Sequence, residues 1–206
     1  MRGKVIGLTG GPATGKSTLA RILRRMGAMY LPVDQLAHAL YAPGTPVYRR
    51  LVREFGPDIV AEGGAVDRGK LGARVFANRR AMARLERVVH PALGAAARAA
   101  LARMRKRWPV TVVEAGPILF RLGLDRACEV VILAVCPRPV QASRLARAHG
   151  ISRAEAGRRI SAVAVHQSAA VGAVRSRRSG WTMVVDTAAG TAGMRRVAER
   201  AFGAVS

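Results

Sequence analysis

The sequence predicts an α/β fold in which a five-stranded parallel sheet is flanked by helices, and three observations carry that expectation. An apolar run, Val5 to Thr9, passes through a glycine-bounded loop into an amphipathic helix. Further apolar runs of strand length recur down the chain, separated by stretches of helical period. Between the second and third runs lie roughly 70 residues without strand character, far more than one crossover uses, so an inserted helical subdomain is expected there.

The first strand, loop and helix form a unit. Gly10 and Gly15-Lys16-Ser17 satisfy the G-x-x-x-x-G-K-[ST] spacing of a P-loop. Glycines let the backbone curl so that successive amides and the helix N-terminus point at phosphate oxygens. The candidate nucleotide-binding segment is Gly10, Gly11, Pro12, Ala13, Thr14, Gly15, Lys16, Ser17 and Thr18. Lys16 reaches the β- and γ-phosphates in such loops, and the Ser17 hydroxyl ligates Mg²⁺. Leu19, Ile22, Leu23 and Met26 give the following helix its apolar stripe, and Gly27 can end it. A nucleoside triphosphate with Mg²⁺ is therefore the expected ligand.

Ala28 to Val33 reads as a short strand ending at Asp34. A carboxylate at the C-terminal end of a strand stands where open α/β sheets bind ligands. Asp34 could equally cap the helix expected over 35–41, and the roles are compatible. Within the insert, Pro43-Gly44-Thr45-Pro46 is a turn before a helix carrying Val47, Leu51, Val52 and Phe55. Asp67 can cap a helix through Leu71 and Val75, another helix carries Met82, Leu85, Val88 and Val89, and His90-Pro91 is expected to open a separate long helix. A histidine before proline is ordinarily a structural hydrogen-bonder.

The third strand spans Pro109 to Ala115, the fourth Glu129 to Val135 and the fifth Trp181 to Val185; the fourth is almost wholly β-branched or leucine, as a strand covered on both faces should be. Between the last two, a helix from Pro137 carries Arg144 and Arg147, three apart and so on one face, and Ser152 can cap another helix. Decoration of a solvated face is the plain alternative for that pair.

Composition bounds the rest. The 206 residues suit one domain, half of them apolar, and 35 basic against 12 acidic residues give a net charge of +23. Four of the basic residues are lysine, leaving 31 arginines spread along the chain. That charge suits polyanionic ligands, but no nucleic-acid motif accompanies it and aromatics are only 4%, so no specific nucleic-acid partner is expected. Cys128 and Cys136 fall near opposite ends of one strand, too far apart for a disulfide at about 3.3 Å per residue. No apolar run approaches the roughly 20 residues of a membrane helix, and no room precedes the first strand for a leader. A cytoplasmic protein with reduced thiols and no membrane partner is expected.

Over nearly its full length the chain resembles the dephospho-coenzyme A kinase family. The resembling stretches are Ile6 to Gly11 into Gly15-Lys16-Ser17-Thr18; Asp34-Gln35-Leu36-Ala37; Pro43 to Pro46; Glu54 to Ile59; Val66-Asp67-Arg68 with Leu71 and Val75-Phe76; Leu85-Glu86 before His90-Pro91; and Pro117 to Phe120. The resemblance implies a single domain at 1–206, with a nucleotide-kinase-like core at 1–34, 108–137 and 166–206, a CoA-binding helical insert at 35–107 and a helical lid at 138–165. It implies transfer of the ATP γ-phosphate to the ribose 3′-hydroxyl of dephospho-CoA by a monomer or weak homo-oligomer. Lys16, Asp34, Arg144 and Arg147 are then the catalytic candidates, with Asp34 and His90 at the acceptor and Ser17 at the metal.

The chain also departs from the family's pattern. Pro32 stands where a first acidic residue is usual two places before Asp34. Ala115 replaces an aspartate, with Glu114 one place earlier, and Arg121 replaces a glutamate. Val163 replaces a lid glutamine, and Asp186-Thr187-Ala188 an Asn-Gly turn. A catalytically impaired nucleotide- or CoA-binding homologue, and a related small-molecule P-loop kinase, are the competing readings.

Overall fold

The computed structural model describes residues 2–76, 78–176 and 180–206. Residues 1, 77 and 177–179, which fall in the stretches expected to be core and insert, lie outside the described residues. The chain divides into two compact units, one formed by the residues up to Pro32 and from Ala99 onward, the other by Val33–Arg98.

The first unit holds a parallel sheet of five strands: β1 (Lys4–Gly10), β2 (Met29–Pro32), β3 (Val110–Glu114), β4 (Val130–Val135) and β5 (Trp181–Asp186), in the order β2-β3-β1-β4-β5. Burial follows that order. The central strands β1, β3 and β4 are covered on both faces, which is why their sequences are nearly continuous apolar runs. The edge strand β5 leaves Trp181 and Val184 exposed.

Helix α1 (Lys16–Arg25) and helix α9 (Thr191–Gly203) cover one face, burying Leu19, Leu23, Met194 and Ala198 against Ile6, Leu8, Val112 and Ile132. Each leucine so buried stabilises the unit by about 1.5–3 kcal/mol. At the N-terminal edge of the sheet, Glu129 accepts from the Val5 amide at 2.6 Å and from Arg105 Nη2 at 3.0 Å. Helices α6 (Arg138–His149) and α7 (Arg153–Ala162) share a small separate core of Leu145, Ala156 and Ile160, against which Ala13 of the loop also packs. Ser152 caps α7 by accepting from the Glu155 amide, as its sequence position predicts. Helix α8 (Ala164–Ser176) follows.

The second unit is helical. It contains α2 (Val33–Leu40), α3 (Pro46–Phe55), α4 (Arg68–Phe76) and the greater part of α5 (Arg79–Arg107), with Val47, Leu51, Phe55, Leu71, Val89 and Leu93 buried. Thr45 caps α3, and Asp67 Oδ1 caps α4 by accepting from the Gly69 and Lys70 amides at 2.8 and 3.0 Å.

Two boundaries differ from expectation. The second strand stops at Pro32, and Val33 and Asp34 already belong to α2. Asp34 is thus the second helical residue, not the residue that ends a strand or caps the helix. His90-Pro91 does not open a helix either, because both lie inside the single 29-residue α5. Pro91 removes one amide donor to the preceding turn. The flanking alanines, leucines and arginines are strong helix formers, and Val89, Leu93 and Ala97 bury one stripe straight through the proline. Among the described residues no helix is long and apolar enough to cross a membrane.

Candidate active site

The last residue of β1 opens the phosphate loop. A side chain at Gly10, which has φ +139°, would bring its Cβ to 2.4 Å from the Ala134 carbonyl of β4, so only glycine lets the loop leave the sheet this closely. Gly15 closes the loop at φ +85°, in the left-handed region, and Met194 and Thr187 would crowd any side chain placed there. As the N-cap of α1, Gly15 supplies no side-chain acceptor. The first amides of the helix, which have no intrahelical acceptor, are therefore left to serve an anion.

The loop is braced from within and without. Thr14 Oγ1 donates to the Gly11 carbonyl at 2.9 Å, and Lys16 Nζ donates to the same carbonyl at 2.6 Å. From outside, the buried Thr187 hydroxyl donates to the Thr14 carbonyl at 2.9 Å. Thr187 opens a short 3-10 turn, Thr187–Ala189, held by Asp186 Oδ1, which accepts from the Ala188 amide. Arg144 of α6 then grips Thr187, donating from Nη1 to its hydroxyl and from Nη2 to its carbonyl, each at 2.9 Å.

These groups surround a cavity of about 360 Å³ lined by Ala13, Gly15, Ser17, Thr18, Arg144, Thr187 and Met194, among others. One wall carries loop amides and a hydroxyl, and another carries a fixed guanidinium. Beside it, Cys136 lies 3.9 Å from the Ala13 carbonyl. Burial pushes the Cys136 thiol up from its ordinary value, against the opposing pull of Arg144, so it stays protonated at neutral pH.

Arg147, one turn beyond Arg144, is exposed and has no hydrogen-bond or ion-pair partner among the described residues. Asp34 and His90 belong to the second unit. There Asp34 is exposed in the first turn of α2, where the helix dipole favours an acid. It acts electrostatically on Tyr41 together with Arg68: burial raises the Tyr41 phenol, Arg68 lowers it and Asp34 raises it. His90 is half-buried within α5. A second cavity in that unit, about 520 Å³, is lined by Asp58, Ile59, Val60, Lys70, Ala73 and Arg74, none of them a predicted site residue.

Sequence reasoning missed Thr187, the residue that holds Arg144 and the loop, and the electrostatic link of Tyr41 and Arg68 to Asp34. Thr187 registered only as part of an unusual turn after the last strand. Arg68 stood in a recognised stretch, but no local pattern tied it or Tyr41 to Asp34.

For the metal, the residues present fit a hard divalent cation. The exposed Ser17 hydroxyl stands at the N-terminus of α1, and the half-buried Glu114 carboxylate ends β3, the strand beside β1. Oxygen donors of this kind suit Mg²⁺, which takes few protein ligands and shares the rest with phosphates and water.

A dephospho-CoA kinase family model matches residues 4–173. A dephospho-CoA kinase of Anaeromyxobacter dehalogenans is 43% identical over 77% of this chain and 75% of its own, and one of Geobacter metallireducens is 41% identical over 77% and 79%. Among solved structures, a Thermus thermophilus protein superimposes with a TM-score of 0.71 at 26% identity, covering 99% of this chain and 98% of its own. The Campylobacter jejuni dephospho-CoA kinase (TM-score 0.59, 21% identity, 98% and 97% coverage) and a shikimate kinase of Bacteroides thetaiotaomicron (0.50, 14%, 96% and 95%) share the fold. A P-loop core carrying these sequence relationships over three quarters of its length places the chain in the dephospho-CoA kinase family.

Proposed function

We propose that the protein transfers the γ-phosphoryl group of ATP to the ribose 3′-hydroxyl of dephospho-CoA, yielding ADP and coenzyme A, the last step of coenzyme A synthesis, as a cytoplasmic enzyme. The observation that carries this reading is the convergence of the phosphate loop, Ser17 and the Thr187-held Arg144 on one cavity, in a chain of this family.

Loop amides and Lys16 hold the phosphates, Lys16 exchanging the Gly11 carbonyl for phosphate oxygen. The remainder of the nucleotide occupies the cavity toward Thr187 and Met194. Mg²⁺, when bound, neutralises phosphate charge; Ser17 would hold it. The sheet unit acts as the core, α6 and α7 as the lid, and the helical unit, with Asp34 and His90, as the seat of dephospho-CoA. Asp34 accepts the proton of the attacking 3′-hydroxyl as that oxygen bonds to the γ-phosphorus and the bridging oxygen departs with ADP. Arg144 and Arg147 stabilise charge on the transferring group and exclude water.

The subunit works as a monomer or weak homo-oligomer without a specific nucleic-acid partner. The test is incubation of purified protein with ATP and dephospho-CoA, the product identified by mass. Formation of coenzyme A is expected. Binding of both ligands without product would establish an impaired homologue, and transfer only to another acceptor would establish a related kinase.

A further inference from the structure

Cations and both tryptophans of the chain gather where the sheet begins. In a parallel sheet every strand starts at one edge, and the phosphate loop leaves the opposite edge, after Gly10. Elements that lead into strands therefore end at the starting edge. Arg2 precedes β1, and Arg24 and Arg25 end α1 ahead of β2. Lys106 and Arg107 end α5 ahead of β3, and Arg126 lies in a 3-10 turn, Asp125–Ala127, ahead of β4. All six are exposed, and none is in an ion pair among the described residues. Of the acids nearby, Glu129 is already engaged by the Val5 amide and Arg105, and Asp125 is half-buried.

Trp108 directly follows Arg107 and is 43% exposed, and Trp181 opens β5 and is 60% exposed. Cations in the last turn of a helix offset its dipole, which accounts for the ends of α1 and α5. It accounts for neither Arg2 nor Arg126, and for no exposed indole. An indole left in water beside unpaired cations suits a boundary that is apolar on one side and anionic at its surface.

A nucleic acid offers phosphates too, but the spacing is against it. Strands β3 and β5 are three strand spacings apart, about 14 Å at about 4.8 Å each. Indoles so placed cannot stack neighbouring bases, which rise about 3.4 Å. A lipid interface sets no such spacing, and docking by this edge leaves the phosphate loop facing water. No spanning helix is needed, so the expectation of no membrane partner, which rested on the lack of an apolar run, does not bear on a peripheral contact. We propose that the starting edge of the sheet is a docking surface for an anionic lipid bilayer, with Trp108 as its interfacial anchor.

The experiment uses the full chain and co-sedimentation with vesicles of equal parts phosphatidylglycerol and phosphatidylcholine, against phosphatidylcholine alone. Wild type should prefer the anionic vesicles at least about 100-fold, since each cation near such a surface contributes about fivefold. Added salt should erase that preference. Lys106→Glu with Arg107→Glu should lose at least about 25-fold. Arg195→Glu with Arg196→Glu, exposed on α9 nearer the opposite edge, makes the same change in net charge and should lose less than about threefold. Trp108→Ala should weaken binding about 10-fold. In Trp181→Phe the one remaining indole is Trp108, and its emission should shift to the blue on anionic vesicles. Equal losses in the two charge-reversed proteins would make the attraction a matter of net charge alone and overturn the proposal. Should the Lys106, Arg107 protein fail to fold, the Trp108 emission decides, and an unshifted emission on bound protein overturns the proposal. A shift with an oligonucleotide and none with vesicles would assign the edge to nucleic acid and overturn it as well.

Discussion

Arg144 and Thr187 are joined by a two-pronged contact, guanidinium to hydroxyl and guanidinium to carbonyl, each 2.9 Å long. Because the same hydroxyl donates to the Thr14 carbonyl, the contact links α6 to the phosphate loop through one buried side chain. Thr187→Val keeps the shape and deletes the relay, leaving Arg144 Nη1 and the Thr14 carbonyl without these partners. A loss of about 1–3 kcal/mol in stability is expected from two hydrogen bonds, with turnover falling as Arg144 loses its fixed position. Thermal melting and kcat check this; an unchanged melting temperature would mean that solvent replaces both bonds.

Arg144 and Arg147 are expected to separate under mutation. Arg144→Ala removes a structural contact as well as a charge, so it should lower both melting temperature and kcat. Arg147→Ala removes an exposed side chain without a described partner, so stability should stay within about 0.5 kcal/mol. If Arg147 acts on the transferring group, kcat falls while the dephospho-CoA KM changes little. An Arg147→Ala enzyme with wild-type kcat would leave that arginine as solvated surface.

The phosphate loop was legible because its spacing, its strand and its helix are all local in sequence, and Gly10 and Gly15 have the close contacts that demand glycine. The central strands were legible because burial on both faces removes the alternation an edge strand would show. The grip of Arg144 on Thr187 joins residues 43 apart, and no local pattern encodes it. Nor does local pattern place Glu114 level with Pro32, which is a matter of strand register between β2 and β3. The break expected at His90-Pro91 failed for another reason: a proline's local cost of about 3 kcal/mol is outweighed by a buried stripe running through it. The strand end expected at Asp34 moved because Pro32, with its fixed φ, suits the entry to a helix as well as the end of an edge strand.

Gln141, one turn before Arg144, is 1% exposed, and neither its amide nitrogen nor its amide oxygen has a hydrogen-bond partner among the described residues. A buried amide held by no described protein group gains little from folding. Gln141→Met keeps the length of the side chain and removes the polar atoms, so the variant should be more stable by about 1 kcal/mol, or about 2–4 °C in melting temperature for a chain of this size. A loss of similar size would show that the amide gains a partner in solution.

Asp34→Asn tests the chemistry. The carboxylate stands second in α2, where its charge is favoured by the helix dipole by about 0.3–1 kcal/mol. Asparagine keeps the shape, so the fold should survive with at most that loss. A spectroscopic check is built in. Burial, more than any charge, raises the Tyr41 phenol, and Asp34 raises it further against Arg68, so removing the Asp34 charge should move Tyr41 ionisation to lower pH in ultraviolet titration. ATP binding depends on groups of the sheet unit and should be unaffected. Without a proton acceptor for the 3′-hydroxyl, turnover should fall by about 10²–10⁴-fold with little change in dephospho-CoA affinity. Equal turnover in Asp34→Asn, with the Tyr41 shift present to certify the substitution's local effect, would remove the base assignment and leave Asp34 a helix-terminal acid. A fall in affinity with kcat intact would instead make it a residue that binds the acceptor in ground and transition state alike.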